Sequence, residues 1–322
     1  MSKIAFLINR LIKNYDAILK DIQNTFAETD YQLYFSDFSG HLVDLAQKAL
    51  KDGKNTIITV GGDGTHNEVI NGVLAHFKIG NNSEIESYDL ENLKKIRLGL
   101  YPAGTGNDFS KSINIKPNAL QLKNEIANGK SRLLDLGWTS FTDKQNKPTN
   151  RFFINITDVG MGGEVARKLE NKIPLLSNKT QYAIRIVTTF LTYKKALIQA
   201  KSENYDWKGQ VMNFIVANGK WFGNGLGVAP DAVLDDGFFE VVILKDAPVW
   251  QYLAAVPATF NGKIYDAAFV EHFATRRVVI SAEQPLHVHV DGEGMVLDEI
   301  LSFEINPKAI NILVPTKREQ PF

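Results

Sequence analysis

The sequence predicts an α/β domain followed by a second domain rich in antiparallel β-strands. Strand and helix patterns alternate through the first 130 residues, which is typical of a parallel sheet covered by helices. From about Ser131, short alternating apolar runs are separated by Gly, Asp, Asn and Pro, as in an antiparallel sandwich. We therefore predict domains at residues 1–130 and 131–305, and residues 306–322 are a candidate to return to the first domain.

In the first domain, apolar runs of strand length alternate with segments that carry apolar residues at helical spacing. The predicted elements are, in order, strand 3–9, helix 15–26, strand 31–35, helix 42–50, strand 56–60, a helix after the following glycine turn, and strand 96–101. The polar segment 80–95 is predicted to be an exposed insertion with a short helix. Two glycine turns directly follow strands, where open α/β sheets bind ligands.

In the second domain, apolar alternation of period two predicts short strands. They are 152–156, 211–217, 239–244, 278–281, 286–290 and 301–305, with a last strand at 310–314. One long stretch, 179–193, has an apolar and a polar face and predicts a helix packed on the sheet, with a lipid-facing role left open.

Composition excludes several classes of protein. Among 322 residues, 36 Lys and Arg balance 36 Asp and Glu, which argues against a nucleic-acid protein with a broad basic surface. Cys is absent, so disulfides, thiolate zinc sites and a Cys nucleophile are excluded. The apolar part of the N-terminus is too short for a signal peptide, and no stretch is long enough to span a bilayer. We expect a cytoplasmic protein whose membrane contact, if any, is peripheral.

The first glycine turn, Gly61-Gly62-Asp63-Gly64-Thr65, lies between a buried strand and a helix. Glycines permit positive φ and close approach to a ligand, and amides at a helix N-terminus attract phosphate. Asp63 would repel a phosphate unless a cation lies between them, which indicates Mg²⁺. A tight strand-to-helix turn without ligand is the alternative, although such a turn would not need the Asp.

Two further motifs follow in the chain: Gly104-Thr105-Gly106-Asn107-Asp108-Phe109 and Asp291-Gly292-Glu293. Thr105 can donate its hydroxyl to phosphate or ribose oxygens. Asn107 and Asp108 can equally be an N-cap pair for the next helix, with capping favoured for Asp108. The Asp-Gly pair of the third motif is also a hairpin signal, and such a turn can present a catalytic group.

Together these motifs resemble the diacylglycerol kinase family of soluble bacterial lipid kinases, related to sphingoid-base kinases. The resemblance extends over nearly the whole chain and includes residues 214–219 and 229–237. It implies a nucleotide-binding α/β domain of the NAD-kinase type and a β-rich lipid-substrate domain, with the active site in the cleft between them. The implied cofactors are ATP and Mg²⁺, and the implied substrate is a lipid hydroxyl at the membrane surface, most simply that of diacylglycerol.

The resemblance also implies roles for individual residues. The implied nucleotide contacts are Ser36, Gly61, Gly62, Asp63, Gly64, Thr65, His66, Asn67 and Thr105. Glu293 matches the acid that takes the proton from the lipid hydroxyl. Relatives hold a structural Mg²⁺ with a carboxylate and two carbonyls, which match Asp236, Val233 and Phe238; an acidic turn without metal is the alternative.

The chain departs from the family pattern after its first strand. The family's Asn-Pro and glycine-containing loop is replaced by Asn9-Arg10-Leu11-Ile12-Lys13-Asn14, where Arg10 or Lys13 can offer a cation to phosphate. In addition, His287, His289 and Asp291 share one face of a strand and raise the alternative of a metal hydrolase, although no third His lies nearby.

Other functions stay open on the sequence. NAD kinases and phosphofructokinases also carry a Gly-Gly-Asp-Gly loop, so a kinase of a soluble substrate is an alternative. A nucleotide or lipid sensor without catalysis is another, favoured only by the altered segment 10–14. No motif identifies the lipid, and a homodimer is left open.

Overall fold

A computed structural model describes residues 3–79, 87–128, 130–142, 148–170, 178–291, 293–297 and 300–315. The chain divides into two units at Asp135/Leu136 and again at Pro307/Lys308. The segment that begins at Lys308 belongs to the first unit.

The first unit alternates strands and helices. Its elements are β1 (Ile4–Asn9), α1 (Tyr15–Thr25), β2 (Tyr31–Ser36), α2 (His41–Lys51), β3 (Thr56–Gly61), α3 (Asp63–His76), β4 (Lys78–Ile79), β5 (Ser87–Tyr88), α4 (Leu90–Leu93), β6 (Arg97–Pro102), α5 (Asp108–Ser112), α6 (Ala119–Asn128) and the start of β7 (Ser131–Thr142). Helix α4 lies in the predicted insertion, of which residues 80–86 are outside the described residues.

The sheet of the first unit is parallel, with strand order β2-β1-β3-β6. β3 is buried along its whole length, as its β-branched sequence predicts. Apolar side chains of these strands pack with Phe26 of the segment after α1 and with Leu122 of α6. The carboxyl ends of β1, β2, β3 and β6 therefore meet along one edge of the sheet, where the glycine turns begin.

The second unit is mostly antiparallel. Its elements are the end of β7, β8 (Pro148–Phe153), β9 (Ile156–Gly160), α7 (Met161–Glu170), α8 (Asn178–Thr192), β10 (Ala196–Ser202), β11 (Asp206–Ala217), β12 (Trp221–Phe222), β13 (Leu226–Gly227), β14 (Phe239–Lys245), α9 (Val249–Thr259), a 3₁₀ turn (Ile264–Asp266), β15 (Val270–Thr275), β16 (Arg277–Ala282), β17 (Leu286–Val290), β18 (Glu293–Leu297) and β19 (Leu301–Leu313). The order β18-β17-β9-β11-β10-β16-β19 forms its main sheet, and β14 pairs with both β11 and β15. The predicted fold class is confirmed.

One predicted strand is wrong. Residues 152–156 do not form one strand, because β8 ends at Phe153 and β9 begins at Ile156. The amides of Ile154, Asn155 and Ile156 donate to the carboxylate of Asp291. These amides bond to the carboxylate and not to the carbonyls of a neighbouring strand. The hydrogen-bond ladder of the sheet is therefore interrupted between β8 and β9.

Two strands that the sequence predicts separately form a single strand in the structure. The runs 301–305 and 310–314 both fall in β19, which pairs antiparallel with β16 through Leu301–Glu304 and parallel with β6 through Asn311 and Ile312. Pro307 lacks a donor and Lys308 has φ 51°, so the chain turns locally without ending the strand. The amide of Lys308 donates to Asp135 at 2.7 Å.

The predicted helix 179–193 is observed as α8, but α7 and α9 were not predicted. α7 begins with Met161-Gly162-Gly163, and glycine weakens a helix signal. A Cβ on Gly163 would lie 2.5 Å from the backbone of His287, so the close packing of α7 on β17 requires glycine there. No helix in the described part of the chain has the length and apolar character needed to cross a bilayer.

Candidate functional site

The two glycine turns of the first unit pack against each other, backbone to backbone. A Cβ on Gly62 would lie 2.9 Å from the Cα of Gly104, and one on Gly104 would lie 2.4 Å from the Cα of Gly62. The amide of Ala103 donates to the carbonyl of Gly61 at 2.8 Å. Both positions require glycine because no side chain fits between the two turns.

The first turn does not use the positive φ that its glycines would permit. Gly61, Gly62 and Gly64 are absent from the positive-φ residues of the described chain, and Gly62 is extended, with φ −96° and ψ −169°. Glycine at position 61 instead lets the side chain of Thr65 pack against the backbone, since a Cβ on Gly61 would meet that side chain at 2.4 Å.

Asp63 links the first turn to the second. Its two carboxylate oxygens accept the amides of Asp108 and Phe109 at 3.1 and 3.0 Å, which caps the N-terminus of α5. Burial, followed by the nearby Asp108 carboxylate, raises the pKa of Asp63. Helix capping therefore explains why an Asp stands at position 63, and this explanation does not require a cation.

Of the two N-cap candidates, Asn107 occupies the N-cap position of α5 and Asp108 is the first residue of the helix, but Asp63 supplies the acceptor. Asn107 has φ 52° and makes no capping bond. Its side chain instead closes the second turn, accepting the amide of Gly104 at 2.8 Å and donating to the Gly104 carbonyl at 3.1 Å. Asp108 is buried and accepts a bond from Lys111 at 2.8 Å.

The first turn of α3 keeps its amides available. Gly62 is the N-cap residue and makes no side-chain cap bond, and the carboxylate of Asp63 points to α5 rather than to its own helix. The first amide of this turn seen to bond within the helix is that of His66, which donates to the Gly62 carbonyl. Thr105 of the second turn is exposed. An uncapped helix start beside an exposed hydroxyl has the donors that a phosphate group requires.

The ends of β1 and β2 lie on the same edge of the sheet. Asn9 donates to the Thr65 hydroxyl at 3.0 Å, which ties the altered segment to the first glycine turn. Ser36, paired in register with Asn9, is buried. Arg10 is engaged with Asp37 at 2.6 Å and lies 5.1 Å from the centroid of the Phe35 ring. The sequence suggested Arg10 as a cation for phosphate, but the structure pairs it with a carboxylate.

His66 and Asn67 face the interior of the first unit. His66 stacks on Phe109 with a centroid distance of 5.2 Å, and its Nδ1 lies 3.3 Å from the Thr59 hydroxyl. The Asn67 side chain is buried and accepts a bond from Asn71 at 3.0 Å. Their part in nucleotide binding stays a prediction, and neither side chain is exposed to contribute directly.

Burial lowers the pKa of His66 to about 4. Because the unfolded chain binds this proton near pH 6.5 and the folded chain does not, stability falls as the pH drops from 6.5 towards 4. We expect His66→Gln to reduce the loss of unfolding free energy between pH 7 and pH 4.5 by about 2 kcal/mol. Chemical denaturation at pH 7 and pH 4.5 measures it. His289, whose pKa is also about 4, is the same in both proteins. An equal pH dependence in the two would contradict the assignment.

In the second unit, Asp291 organises the turn before Glu293. It is buried, has φ 42°, and accepts the amides of Ile154, Asn155 and Ile156 at 2.7 to 3.2 Å. Asn218 lies in the segment 214–219, which is part of the family resemblance. It donates to the Ile154 carbonyl at 2.8 Å and so stabilises the break between β8 and β9. These bonds give Asp291 the structural role of holding the β8–β9 break against the end of β17.

Asp291→Ala should therefore destabilise the fold strongly. Three buried amides would lose a charged acceptor, which costs about 3 kcal/mol. Urea unfolding measures the loss, and Asp206→Ala is the matched control because Asp206 is exposed and makes surface contacts with Lys201 and Gln199. A loss below about 1 kcal/mol would show that water replaces the carboxylate.

Glu293 is the first residue of β18 and pairs with Val290 across the β17–β18 hairpin. Its side chain and Gly292 lie outside the described residues. The structure therefore places the predicted base at a hairpin turn fixed by Asp291, and its catalytic role stays a prediction.

The two histidines of β17 contact different carboxylates. His287 Nδ1 lies 3.2 Å from Glu164, and His289 Nδ1 lies 3.5 Å from Asp158. Burial lowers the pKa of His289 to about 4 and raises that of Asp158 to about 8. Within the described residues these groups do not converge as metal ligands. The arrangement favours buried polar pairs over a metal hydrolase.

The predicted metal loop, residues 233–238, forms a local turn. The Asp236 carboxylate accepts the amide of Phe238 at 2.9 Å, and Gly237 has φ 82°. Val233 and Phe238 are partly exposed, and Arg276 lies over the Phe238 ring at 4.8 Å. One carboxylate and backbone carbonyls are ligands that suit a hard cation, so the residues present are compatible with Mg²⁺.

A second group in this unit was not predicted. Asp231, Glu240 and His272 offer ligand atoms within 4.8 Å of one another. His272 Nδ1 lies 2.7 Å from Glu240, which also accepts a bond from Tyr265 at 3.0 Å, and Tyr265 stacks on His272. The sequence could not reveal this group, since its members come from a loop and two strands.

Comparison with known proteins agrees with this architecture. A model of the diacylglycerol kinase catalytic domain matches residues 4–139, and a model of the YegS C-terminal NAD kinase beta sandwich-like domain matches residues 156–314. The chain is 23% identical over 307 residues to a diacylglycerol kinase of Bacillus subtilis, covering 94% of this chain and 92% of the relative. It is 24% identical over 260 residues to one of Staphylococcus carnosus, covering 81% and 77%.

Solved structures share the fold. A crystal structure of a diacylglycerol kinase from Bacillus anthracis aligns with a TM-score of 0.66 at 16% identity and covers 98% of this chain and 97% of that one. The two domain types and the paired glycine turns define a phosphotransferase with an alcohol group as acceptor. The chain belongs to the diacylglycerol kinase family of lipid kinases, as its motifs predicted.

Proposed function

We propose that this chain transfers the γ-phosphate of ATP to the hydroxyl of diacylglycerol, with phosphatidic acid as the product. The family supports a lipid acceptor, and the relatives with this fold are named as diacylglycerol kinases. The observation that carries the proposal is the uncapped start of α3, packed directly against the second glycine turn.

The phosphates of ATP are proposed to bind at the first turn of α3. The backbone amides there are donors, and glycine at position 62 lets the second turn pack directly beside them. Thr105 offers its hydroxyl from the second turn, which Asn107 and Asp63 hold in place. Phosphoryl transfer depends mainly on positioning and charge neutralisation, so rigid turns of this kind serve the reaction directly.

Magnesium is proposed to accompany the nucleotide and to neutralise phosphate charge. A second, structural ion is proposed at Asp236 with the carbonyls of Val233 and Phe238. The Asp236 oxygen Oδ1 accepts the Phe238 amide, and the second carboxylate oxygen is available to a ligand within the described residues. Both carboxylate oxygens of Asp63 accept amides at the start of α5, so the main role of Asp63 is to hold the second turn in place.

Glu293 is proposed as the general base. The lipid hydroxyl oxygen attacks the γ-phosphorus, the bond from that phosphorus to the bridging oxygen of ADP breaks, and the hydroxyl proton passes to the Glu293 carboxylate. Asp291 acts indirectly, because it fixes the turn that carries Glu293. We further propose that the chain is cytoplasmic and meets its lipid at the inner membrane surface.

An acceptor panel tests the proposal. The purified chain is incubated with radiolabelled ATP, Mg²⁺ and either diacylglycerol in detergent micelles, NAD or fructose 6-phosphate. We expect label in the lipid alone. Label in NAD or the sugar phosphate would assign a kinase of a soluble substrate. Binding of ATP without transfer to any acceptor would assign a nucleotide-binding protein without catalysis.

A further inference from the structure

Helices α8 and α9 of the second unit meet through aromatic side chains. The rings of Phe190 and Tyr252 have centroids 6.0 Å apart, and Lys195 Nζ lies 5.8 Å from the Tyr252 centroid. Both aromatic residues belong to one apolar cluster with Met212 and Phe269. The inner faces of the two helices are thus accounted for by packing, which leaves their outer faces to be explained.

The outer face of α9 is apolar. The sequence carries no charged residue from Ala247 to Gly262. Tyr252 is buried, whereas Trp250, Phe260 and Leu253 are 67%, 55% and 47% exposed. A helix that packs one apolar face on its own protein and leaves a second apolar face open is typical of a surface that meets another apolar phase.

The described part of α8 also exposes apolar side chains. Ile184, Val187 and Leu191 are exposed at helical spacing. Thr188 and Thr192 lie on the same stripe, and their hydroxyls donate to helix carbonyls at 2.8 and 2.7 Å. The hydroxyl hydrogens of the stripe are therefore already bonded inside the helix, which lowers the cost of removing this face from water.

Cations border the apolar surface. Lys194 follows α8 and Lys263 follows α9; both are exposed, and within the described residues neither forms an ion pair. Lys195 is paired with Asp246, and Asp266, three residues after Lys263, is also exposed. Exposed lysines next to Trp and Leu side chains are typical of helices that lie in the headgroup region of an anionic bilayer.

We propose that the exposed faces of α8 and α9, here the α8–α9 face, dock the chain on an anionic lipid bilayer. Trp250, Leu253 and Phe260 enter the interface together with the apolar stripe of α8, while Lys194 and Lys263 contact lipid phosphates. The biological purpose of this docking rests on the proposed function, since a lipid kinase must reach its acceptor. The docking itself needs neither nucleotide nor turnover.

Vesicle sedimentation without ATP tests the α8–α9 face. The intact chain is mixed with phosphatidylcholine vesicles that contain one-third phosphatidylglycerol. We expect Trp250→Glu with Leu253→Glu to lower the bound fraction about tenfold or more. Leu120→Glu is the matched control, because Leu120 is 62% exposed on α6 of the first unit and should leave binding unchanged.

A fluorescence measurement covers the case in which the double variant misfolds. Vesicles with brominated acyl chains should quench the intact chain, and Trp250→Phe should lose most of that quenching. Three outcomes overturn the proposal: no vesicle binding by the intact chain, equal binding by the double variant, or a dimer in sedimentation velocity that the double variant dissociates. Transfer to detergent-dispersed diacylglycerol is measured in parallel, so loss of the kinase assignment and loss of docking are separate results.

Discussion

Gly62→Val is expected to abolish nucleotide binding. A Cβ at this position would lie 2.9 Å from the Cα of Gly104, and valine adds two methyl groups to it. Backbone cannot yield as the end of a side chain can, so the two glycine turns would separate. Donors at the start of α3 and the hydroxyl of Thr105 would then no longer face one phosphate group. Calorimetry should show the Kd for ATP rising about 100-fold or more.

A milder substitution distinguishes a loss of ATP binding from a general loss of the fold. Thr105→Val removes an exposed hydroxyl without a change of shape and should weaken ATP binding about tenfold while the thermal midpoint stays the same. Thr29→Val, in the turn after α1, removes a hydroxyl elsewhere in the same unit and serves as its control. If both Gly62→Val and Thr105→Val bound ATP as the unchanged chain does, the nucleotide would lie elsewhere.

Glu293→Gln is expected to stop phosphate transfer and to spare ATP binding. Glutamine keeps the size of the side chain but cannot accept the hydroxyl proton, and loss of a general base lowers kcat about 1000-fold. The β17–β18 hairpin should persist, because its turn depends on Asp291 rather than on residue 293. Release of ADP in the presence of diacylglycerol micelles measures the effect.

The control for this variant is Glu283→Gln, which removes an exposed carboxylate from the connection before β17. It should leave kcat unchanged. Full turnover by Glu293→Gln would exclude Glu293 as the base. A parallel loss of ATP affinity would instead indicate that the substitution disturbs the fold.

Local patterns predicted the strands of the parallel sheet and the helices α1, α2 and α3 between them. β3 and β17 are found where apolar runs placed them, because short-range preference and burial agree there. Long-range acceptors were one source of error. Asp291 lies 137 residues after Ile154, so the break between β8 and β9 leaves no local sign. α9 lacks the polar face that reveals an amphipathic helix, and its periodicity is correspondingly weak.

The same distinction holds at the candidate site. The glycine turns and the Asp-Gly-Glu turn were evident from the chain. The bond from Asp63 to α5 was not, since its partners lie 45 and 46 residues further along. An Asp in a phosphate loop suggests a metal ligand by chemistry alone, whereas the fold uses it as a helix cap. The burial of His66 likewise depends on Phe109, which the sequence places in the other turn.

The central claim is that this chain phosphorylates a lipid hydroxyl at the expense of ATP. Mass spectrometry of a total bacterial lipid extract, after incubation with the chain, ATP and Mg²⁺, tests it most directly. We predict that diacylglycerol species decline and that each gains the mass of one phosphate, with no such change for Glu293→Gln. An extract in which no lipid gains phosphate, while ATP is consumed on a soluble acceptor, would contradict the account.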